Sequence, residues 1–346
     1  MRAKVFTLPG EWEKQSGVLI TWPHNNSDWV SNLASIEAFY VRLSATISRY
    51  QKLLIIAYDQ ALKTRIQSLL STKQINDANI LFFISQTTDT WTRDYGPVCL
   101  TANGKTRLLD FKFNGWGEKY PAHLDNSLTD KLLSSNTLKP QESLSQNFVL
   151  EGGSIESDGH GTLLTTSNCL LNTTRNAQFS KQEIEHYLIN TIGMKQILWL
   201  NHGHLAGDDT DSHIDMLARF TNAHTIIHIQ CDDPTDEHFA PLQAMKNELK
   251  TFRNIHGEPY QLIPLPLPSP QYDTRQKRLP ASYANFLIIN DAVLVPTYDD
   301  PKDQLALTIL QRCFKTRKIV SIPANAAIQQ NGSLHCLTMQ MPVGIL

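Results

Sequence analysis

Long apolar runs are missing from this chain of 346 residues. The longest are strand-sized pieces such as Leu53-Leu-Ile-Ile-Ala57, far below the roughly 20 residues that cross a bilayer as a helix. The N-terminal stretch Met1 to Gly10 has no apolar signal core. An excess of one charge is missing too. The net charge is −2, so no basic surface points to nucleic acid and no like-charge tail points to disorder. Paired cysteines are missing. The five present, Cys99, Cys169, Cys231, Cys313 and Cys336, are scattered and odd in number, with no CxxC pair. That argues against a disulfide framework and against a zinc ribbon. These absences together point to a cytoplasmic protein with free thiols, without a membrane or nucleic-acid partner.

What is present is a hydrophobic fraction of 41%, enough for one large core or two ordinary ones. Short apolar runs alternate with helical patterns from end to end. Gly17 to Trp22, Leu53 to Tyr58 and Ile80 to Ile84 read as strands, and Ile36, Phe39, Tyr40, Leu43 and Ile47 repeat at helical spacing. Asn103-Gly104 sits between two strand-like runs, a strong hairpin signal. Ser180-Lys-Gln-Glu183 is a capping box before a helix ending at Gly193. Ile214 to Phe220 and Ser333 to Met339 read as strands, Asp236 to Phe252 and Asp303 to Phe314 as helices, and Phe286 to Val295 as a hairpin turning at Asn290-Asp291. The Pro-rich stretch Ile263 to Pro270 reads as a rigid surface loop. No linker divides the chain, so residues 1–346 are expected to form one α/β domain.

Four polar segments interrupt this pattern: Thr90-Trp-Thr-Arg-Asp-Tyr-Gly-Pro97, Val149-Leu-Glu-Gly-Gly-Ser154, Gly207 to Phe220, and Gly332-Ser-Leu-His-Cys-Leu-Thr-Met-Gln340. They recur with a rhythm. Asp94 to Glu151 is 57 residues, Glu151 to His213 is 62, and His213 to Cys336 is 123, about twice as long. A strand–helix repeat of about 60 residues would bring one functional loop per repeat to a common centre. Taken singly, each segment has an ordinary explanation. A His-x-Asp at a strand edge is usually solvated, an Arg-Asp pair is usually on the surface, a Gly-Gly is usually a turn, and a single cysteine is usually buried and inert. Cys336 differs from the other four in lying between Gly332 and His335 on one side and Thr338 and Gln340 on the other.

Taken together, Asp94, Glu151, His213, Asp215 and Cys336 fit one chemistry. A guanidinium is planar, cationic and rich in donors, and carboxylates recognise it through paired hydrogen bonds. Its carbon is a poor electrophile, so a thiolate must attack while carboxylates hold the charge. A histidine must then protonate the departing ammonia.

In these segments the chain resembles the guanidine-modifying enzymes, most closely the agmatine deiminases, which are related to the bacterial peptidyl-arginine deiminases. The motifs that carry the resemblance are Trp91-Thr-Arg-Asp-Tyr-Gly-Pro97, Phe113-Asn-Gly-Trp-Gly117, Glu151-Gly-Gly153, Asp209-Thr-Asp-Ser-His-Ile-Asp215 with Ala218-Arg-Phe220, and His335-Cys-Leu-Thr338. They run in the family's order and span nearly the whole chain. The resemblance implies a five-bladed pseudo-symmetric α/β propeller, the pentein fold, with the active site at its centre. It implies that Asp94 and Asp215 grip the guanidinium, that His213 is general acid and base, that Glu151 orients His213 or touches the substrate, and that Cys336 is the nucleophile. It places Trp91 on the substrate's carbon chain and counts Trp116 and Gly332 among the substrate-binding positions. It implies no metal and no organic cofactor. The expected reaction converts agmatine to N-carbamoylputrescine and ammonia through a covalent thiouronium; free, methylated or peptidyl arginine are the alternative substrates.

Two positions depart from the family pattern. Gln330-Asn-Gly-Ser-Leu-His-Cys336 stands where Gly-Gly-Gly-Asn-Ile-His-Cys is common, and Ser212 replaces a usual glycine, with little effect expected. Two other classes compete with this function. His202, His204, Asp208, Asp209, Asp211, His213 and Asp215 crowd together as a metal-dependent hydrolase would require. A non-catalytic propeller is the other, and it would lack the Asp, His and Cys set. A homodimer is the default association. Arg175, Arg278 and the Asp208-Asp209-Asp211 cluster are expected on the solvated surface.

Overall fold

The computed structural model describes residues 5–73 and 75–346. The first four residues of the N-terminal stretch therefore lie outside it. The chain repeats one unit five times: an antiparallel strand pair, a helical crossover, and a third strand parallel to the second. Strands β1 (Gln15–Thr21), β2 (Lys52–Ala57) and β3 (Ile80–Ile84) form the first sheet, β1 and β2 being joined through the helix Leu33–Ile47. Strands β4 (Val98–Ala102), β5 (Lys105–Lys112) and β6 (Glu142–Val149) form the second, and β7 (Ile155–Ser157), β8 (Thr162–Thr166) and β9 (Gln196–Leu200) the third. Strands β10 (Ala218–Asn222), β11 (Thr225–Gln230) and β12 (Gln261–Pro266) form the fourth. After a short ribbon of β13 (Gln271–Tyr272) and β14 (Arg278–Leu279) come β15 (Leu287–Ile289), β16 (Ala292–Thr297) and β17 (Lys318–Pro323). The last strand, β18 (Thr338–Pro342), pairs antiparallel with β1 and so completes the first sheet with the chain's other end. This is the α/β pentein arrangement that the resemblance implied.

Local sequence explains most of these elements. Helix Leu33–Ile47 buries Ile36, Phe39, Tyr40, Leu43 and Ile47, the face its spacing marked. Helix Lys181–Ile192 begins at a capping box formed by Ser180 and Glu183 and ends at Gly193 in the left-handed region, φ 75°. The hairpin between β4 and β5 turns at Asn103 (φ 50°) and Gly104 (φ 77°), both in the positive region that a tight two-residue turn requires. Helices Phe239–Leu249 and Asp303–Cys313 cross over in the fourth and fifth units.

Four expectations need correction. The Pro-rich stretch Ile263 to Pro270 is a loop only in its second half: its beginning belongs to β12 (Gln261–Pro266), parallel to β11 and at the edge of its sheet. An edge strand has one side without ladder partners, so it accepts prolines. Ile214 to Phe220 is not one strand, because Ile214–Met216 makes a 3₁₀ turn before β10 begins at Ala218. Likewise Ser333 to Leu337 precedes β18 rather than forming part of it. In both places the backbone leaves the ladder where site residues lie. Asp236 to Phe252 is shortened to Phe239–Leu249. No helix among the described residues is long and apolar enough to cross a membrane.

Candidate active site

The site is assembled from equivalent points of the five units, each just before the unit's first strand. Asp94 precedes β4, Glu151 precedes β7, His213 and Asp215 precede β10, Asn285 precedes β15, and Cys336 precedes β18. All six are buried.

Gly153 marks where three of them converge. A Cβ on this residue would lie 2.6 Å from His213 Nδ1, 2.7 Å from Asp94 Oδ1 and 3.3 Å from Asp215 Oδ2. The imidazole and both carboxylates therefore surround a volume that any larger residue would fill. The Cys336 thiol adjoins the same carboxylate, its Sγ 3.5 Å from Asp215 Oδ2. Asn285 fixes the turn that carries the thiol: its Oδ1 accepts from the backbone of His335 at 2.8 Å and its Nδ2 lies 3.2 Å from Cys336 Sγ.

Each carboxylate is oriented by donors. Asp94 Oδ1 accepts from the Gly153 backbone N–H at 3.0 Å, and Oδ2 accepts from Trp116 Nε1 at 2.9 Å. Trp116 reaches it from a left-handed backbone, φ 56°, a strained conformation of the kind that clusters at sites. Asp215 Oδ2 meets His335 Nδ1 at 2.8 Å, and His335 Nε2 meets Glu11 Oε2 at 2.8 Å. Glu11 in turn accepts from Arg219 at 2.8 Å.

Electrostatics separate the two aspartates. Burial, reinforced by Asp215 and Glu151, raises Asp94 to about 6, although His213 and the Trp116 N–H pull the other way. Burial would also raise Asp215, but the hydrogen bond and charge of His335 outweigh it and leave the carboxyl below its ordinary value. Burial would lower His213, yet Asp94, Cys169 and Glu151 hold it well above the usual histidine range. Burial, Asp215 and Asp94 push the Cys336 thiol well above its ordinary value. Both the imidazole and the thiol are thus shifted toward their protonated forms, with two acids facing the space between.

Trp91 and Gly332 pack against each other: a Cβ at position 332 would lie 2.3 Å from the indole. Both line a cavity of about 50 Å³ that opens from Cys336 and Asp94 past Trp116 and Tyr120 to Asp28, Asp89, Asp208 and Asp209. Among the described residues no lysine or arginine lines it. A larger cavity of about 240 Å³ reaches Glu11 and Arg93 but neither Asp94 nor Cys336, both of which line the smaller one, so the chemistry lies in the smaller one.

Several expectations are revised here. Arg175 is buried, bonded through Nε to Glu151 Oε1 at 2.9 Å and through Nη1 to Asp211 at 2.6 Å. Arg278 pairs with Asp236 and Glu237. Ser212 has φ 70°, which explains why glycine is usual there: the turn requires the left-handed region. The loop before Cys336 meets a similar demand with Asn331, φ 65°. Cys169 is not an isolated buried thiol, since its Sγ is 4.0 Å from Glu151 Oε2. The acids before His213 do not gather around a common point. Asp208 accepts from Thr210 and Ser212, Asp209 from Tyr120, and Asp211 from Arg175. Among the described residues only Glu151, Cys169 and His213 bring three metal-capable atoms within 4.8 Å of one another. Asn285 and Cys169 belong to no recognised motif. The repeat rhythm was the available signal for Asn285, which falls inside the double-length interval between His213 and Cys336.

The family model for Porphyromonas-type peptidyl-arginine deiminase matches residues 7–342. An agmatine deiminase from Pseudomonas putida is 32% identical, the alignment covering 99% of this chain and 97% of that protein. A solved C. jejuni agmatine deiminase, a Cys-to-Ser variant with substrate bound, is 39% identical with a TM-score of 0.91, covering 100% of this chain and 99% of the other. A structure described as a candidate arginine deiminase from Porphyromonas gingivalis is 44% identical with a TM-score of 0.92, covering 99% of each chain.

Proposed function

The chain belongs to the Porphyromonas-type peptidyl-arginine deiminase family, and on that premise we propose that it hydrolyses agmatine to N-carbamoylputrescine and ammonia. It is a hydrolase of guanidine C–N bonds. The observation that carries the reading is the convergence of Asp94, His213 and Asp215 on the space left by Gly153, with Cys336 against Asp215.

In the proposed mechanism the guanidinium docks between Asp94 and Asp215. Its positive charge offsets the two carboxylates that, with burial, hold the thiol neutral, so Cys336 releases its proton to solvent as substrate enters. The thiolate attacks the central carbon and forms a C–S bond. Protonated His213 gives its proton to the departing nitrogen, the C–N bond breaks, and ammonia leaves. A thiouronium remains on Cys336. Neutral His213 then takes a proton from water, whose oxygen attacks the same carbon. The C–S bond breaks, the sulfur departs as thiolate and takes up the remaining proton of the attacking water, and the neutral ureido product is released. Glu151, clamped by Arg175, supports His213 from behind. Trp91, Trp116 and Gly332 shape the channel for the carbon chain. No cofactor enters this scheme. We assign the work to one catalytic domain in the cytoplasm, with a homodimer as the default association and no nucleic-acid or membrane partner.

The tail specificity rests on charge. Among the described residues, four aspartates and no cation line the outer channel, which favours the free amine of agmatine. The nearby Lys119 is held by Asp209 and Asp211, so the carboxylate of arginine would face the acids without a free cationic partner. Ammonia release from agmatine, arginine and a blocked arginine peptide tests this, with Cys336→Ser as the control. Agmatine is expected to exceed the others in kcat/KM by about 100-fold or more, since a buried unpaired charge costs several kcal/mol. Arginine turning over as fast as agmatine would end the tail assignment, and normal turnover by Cys336→Ser would end the mechanism.

A further inference from the structure

One buried thiol in this site has no part in the proposed reaction. Cys169 is held at the start of the turn Ser167–Leu170, where its backbone N–H donates to Thr166 Oγ1. It is fully buried, as are Glu151 and His213. One sulfur, one imidazole nitrogen and one carboxylate oxygen from these three residues lie within 4.8 Å of one another. A second observation concerns His213 itself. Both of its ring nitrogens are buried without a hydrogen-bond partner, an arrangement that normally costs free energy unless something fills it.

We propose that Glu151, Cys169 and His213 form a binding site for a thiophilic divalent cation such as zinc, and that its occupation arrests the enzyme. A sulfur, nitrogen and oxygen donor set suits zinc or cobalt and disfavours magnesium and calcium. Three protein ligands leave the fourth tetrahedral position for water. Metal–ligand bonds of about 2.0–2.3 Å require the donors to close in by roughly an ångström, within reach of side-chain rotation.

The charges balance. On binding, the Cys169 thiol and the His213 imidazolium each release a proton to solvent, the sulfur becomes a thiolate ligand and the neutral ring offers a nitrogen lone pair. Glu151 keeps Oε1 against Arg175 Nε at 2.9 Å and presents Oε2 toward Cys169. Thiolate, Glu151 and Asp94, whose Oδ1 is 3.5 Å from His213 Nδ1, together offset the cation and Arg175. No electron moves. The bound cation would occupy the imidazole needed to protonate ammonia, so it and the substrate would exclude one another. Cys336 belongs to no such group among the described residues, so this site does not depend on the proposed nucleophile.

Cobalt titration of the full-length Cys336→Ser protein tests the site without relying on turnover. A sulfur-to-cobalt charge-transfer band is expected, saturating near one equivalent and displaced by zinc. It should vanish when Cys169→Ser is added, and His213→Ala in the same background should weaken cobalt binding tenfold or more. In the wild-type enzyme, zinc inhibition should be competitive with agmatine. No band at millimolar cobalt overturns the proposal, as does a band that persists without Cys169. If the double variant does not fold, unchanged cobalt affinity in His213→Ala overturns it instead. None of these outcomes bears on the deiminase reading, which stands or falls on ammonia release.

Discussion

Asp94 illustrates how one side chain is tuned at this site. Burial raises its carboxyl to about 6, and the Trp116 N–H is one of the few contacts that favour its ionised form. The ionised form is the one that can grip a guanidinium, so kcat/KM for agmatine should fall as pH drops through about 6. Trp116→Phe removes a donor to the carboxylate, which raises the pKa further. The acid limb of the kcat/KM profile should therefore move to higher pH. A limb that stays in place, or moves down, would show that Trp116 does not tune Asp94. At this scale the sequence was most legible where chemistry demands a rare combination: Asp94, His213, Asp215 and Cys336 stand in distinctive segments, and the fold brings them to one place. Cys169 was illegible, and Asn285 was marked by nothing beyond the repeat rhythm. A lone asparagine in Ala284-Asn-Phe286 or a cysteine in an apolar turn looks ordinary until its spatial neighbours are known. Arg175 was misjudged for the same reason, since a buried arginine is explained only by its distant partners Glu151 and Asp211.

Among local elements, the Gly152–Ser154 turn contributes space rather than a functional group. Gly153→Ala would put a methyl group 2.6 Å from the His213 ring and 2.7 Å from Asp94, closer than carbon normally approaches these atoms. Ammonia release should fall about 100-fold or more, as small displacements of reacting groups do elsewhere. Steady-state kinetics check this, and activity within a factor of two of wild type would mean the substrate does not use that space. Element boundaries were legible wherever capping and turn chemistry are explicit, as at Ser180, Gly193 and Asn103-Gly104. They failed at Ile214–Met216 and Ser333–Leu337. There apolar composition reads as strand, but the backbone is diverted to seat Asp215 and Cys336. They failed again at β12, where proline content argued against a strand that its edge position permits.

Across the whole molecule, the ring depends on one long-range join. Ser16 Oγ donates to the carbonyl of Met341, 325 positions away, and β18 lies against β1 through five residue pairs. Ile345 is fully buried beyond that strand, and its carbonyl accepts from the Lys139 N–H at 2.8 Å. Ile345→Ala should cost about 2–4 kcal/mol by leaving a cavity. Denaturant unfolding measures this directly, and a loss below about 0.5 kcal/mol would show that the ring closes without it. The rhythm of about 60 residues anticipated the repeat, but nothing in it disclosed that the first sheet would borrow its final strand from the chain's end.

That borrowing has a consequence for how the protein comes into being. Cys336, the proposed nucleophile, sits on the approach to β18, whose partner β1 is far away in sequence. A chain in which β18 has not yet reached β1 can gather the acids and the imidazole but leaves the sulfur unplaced. Under the proposed mechanism, catalytic competence therefore arrives in one step with the closing of the circle.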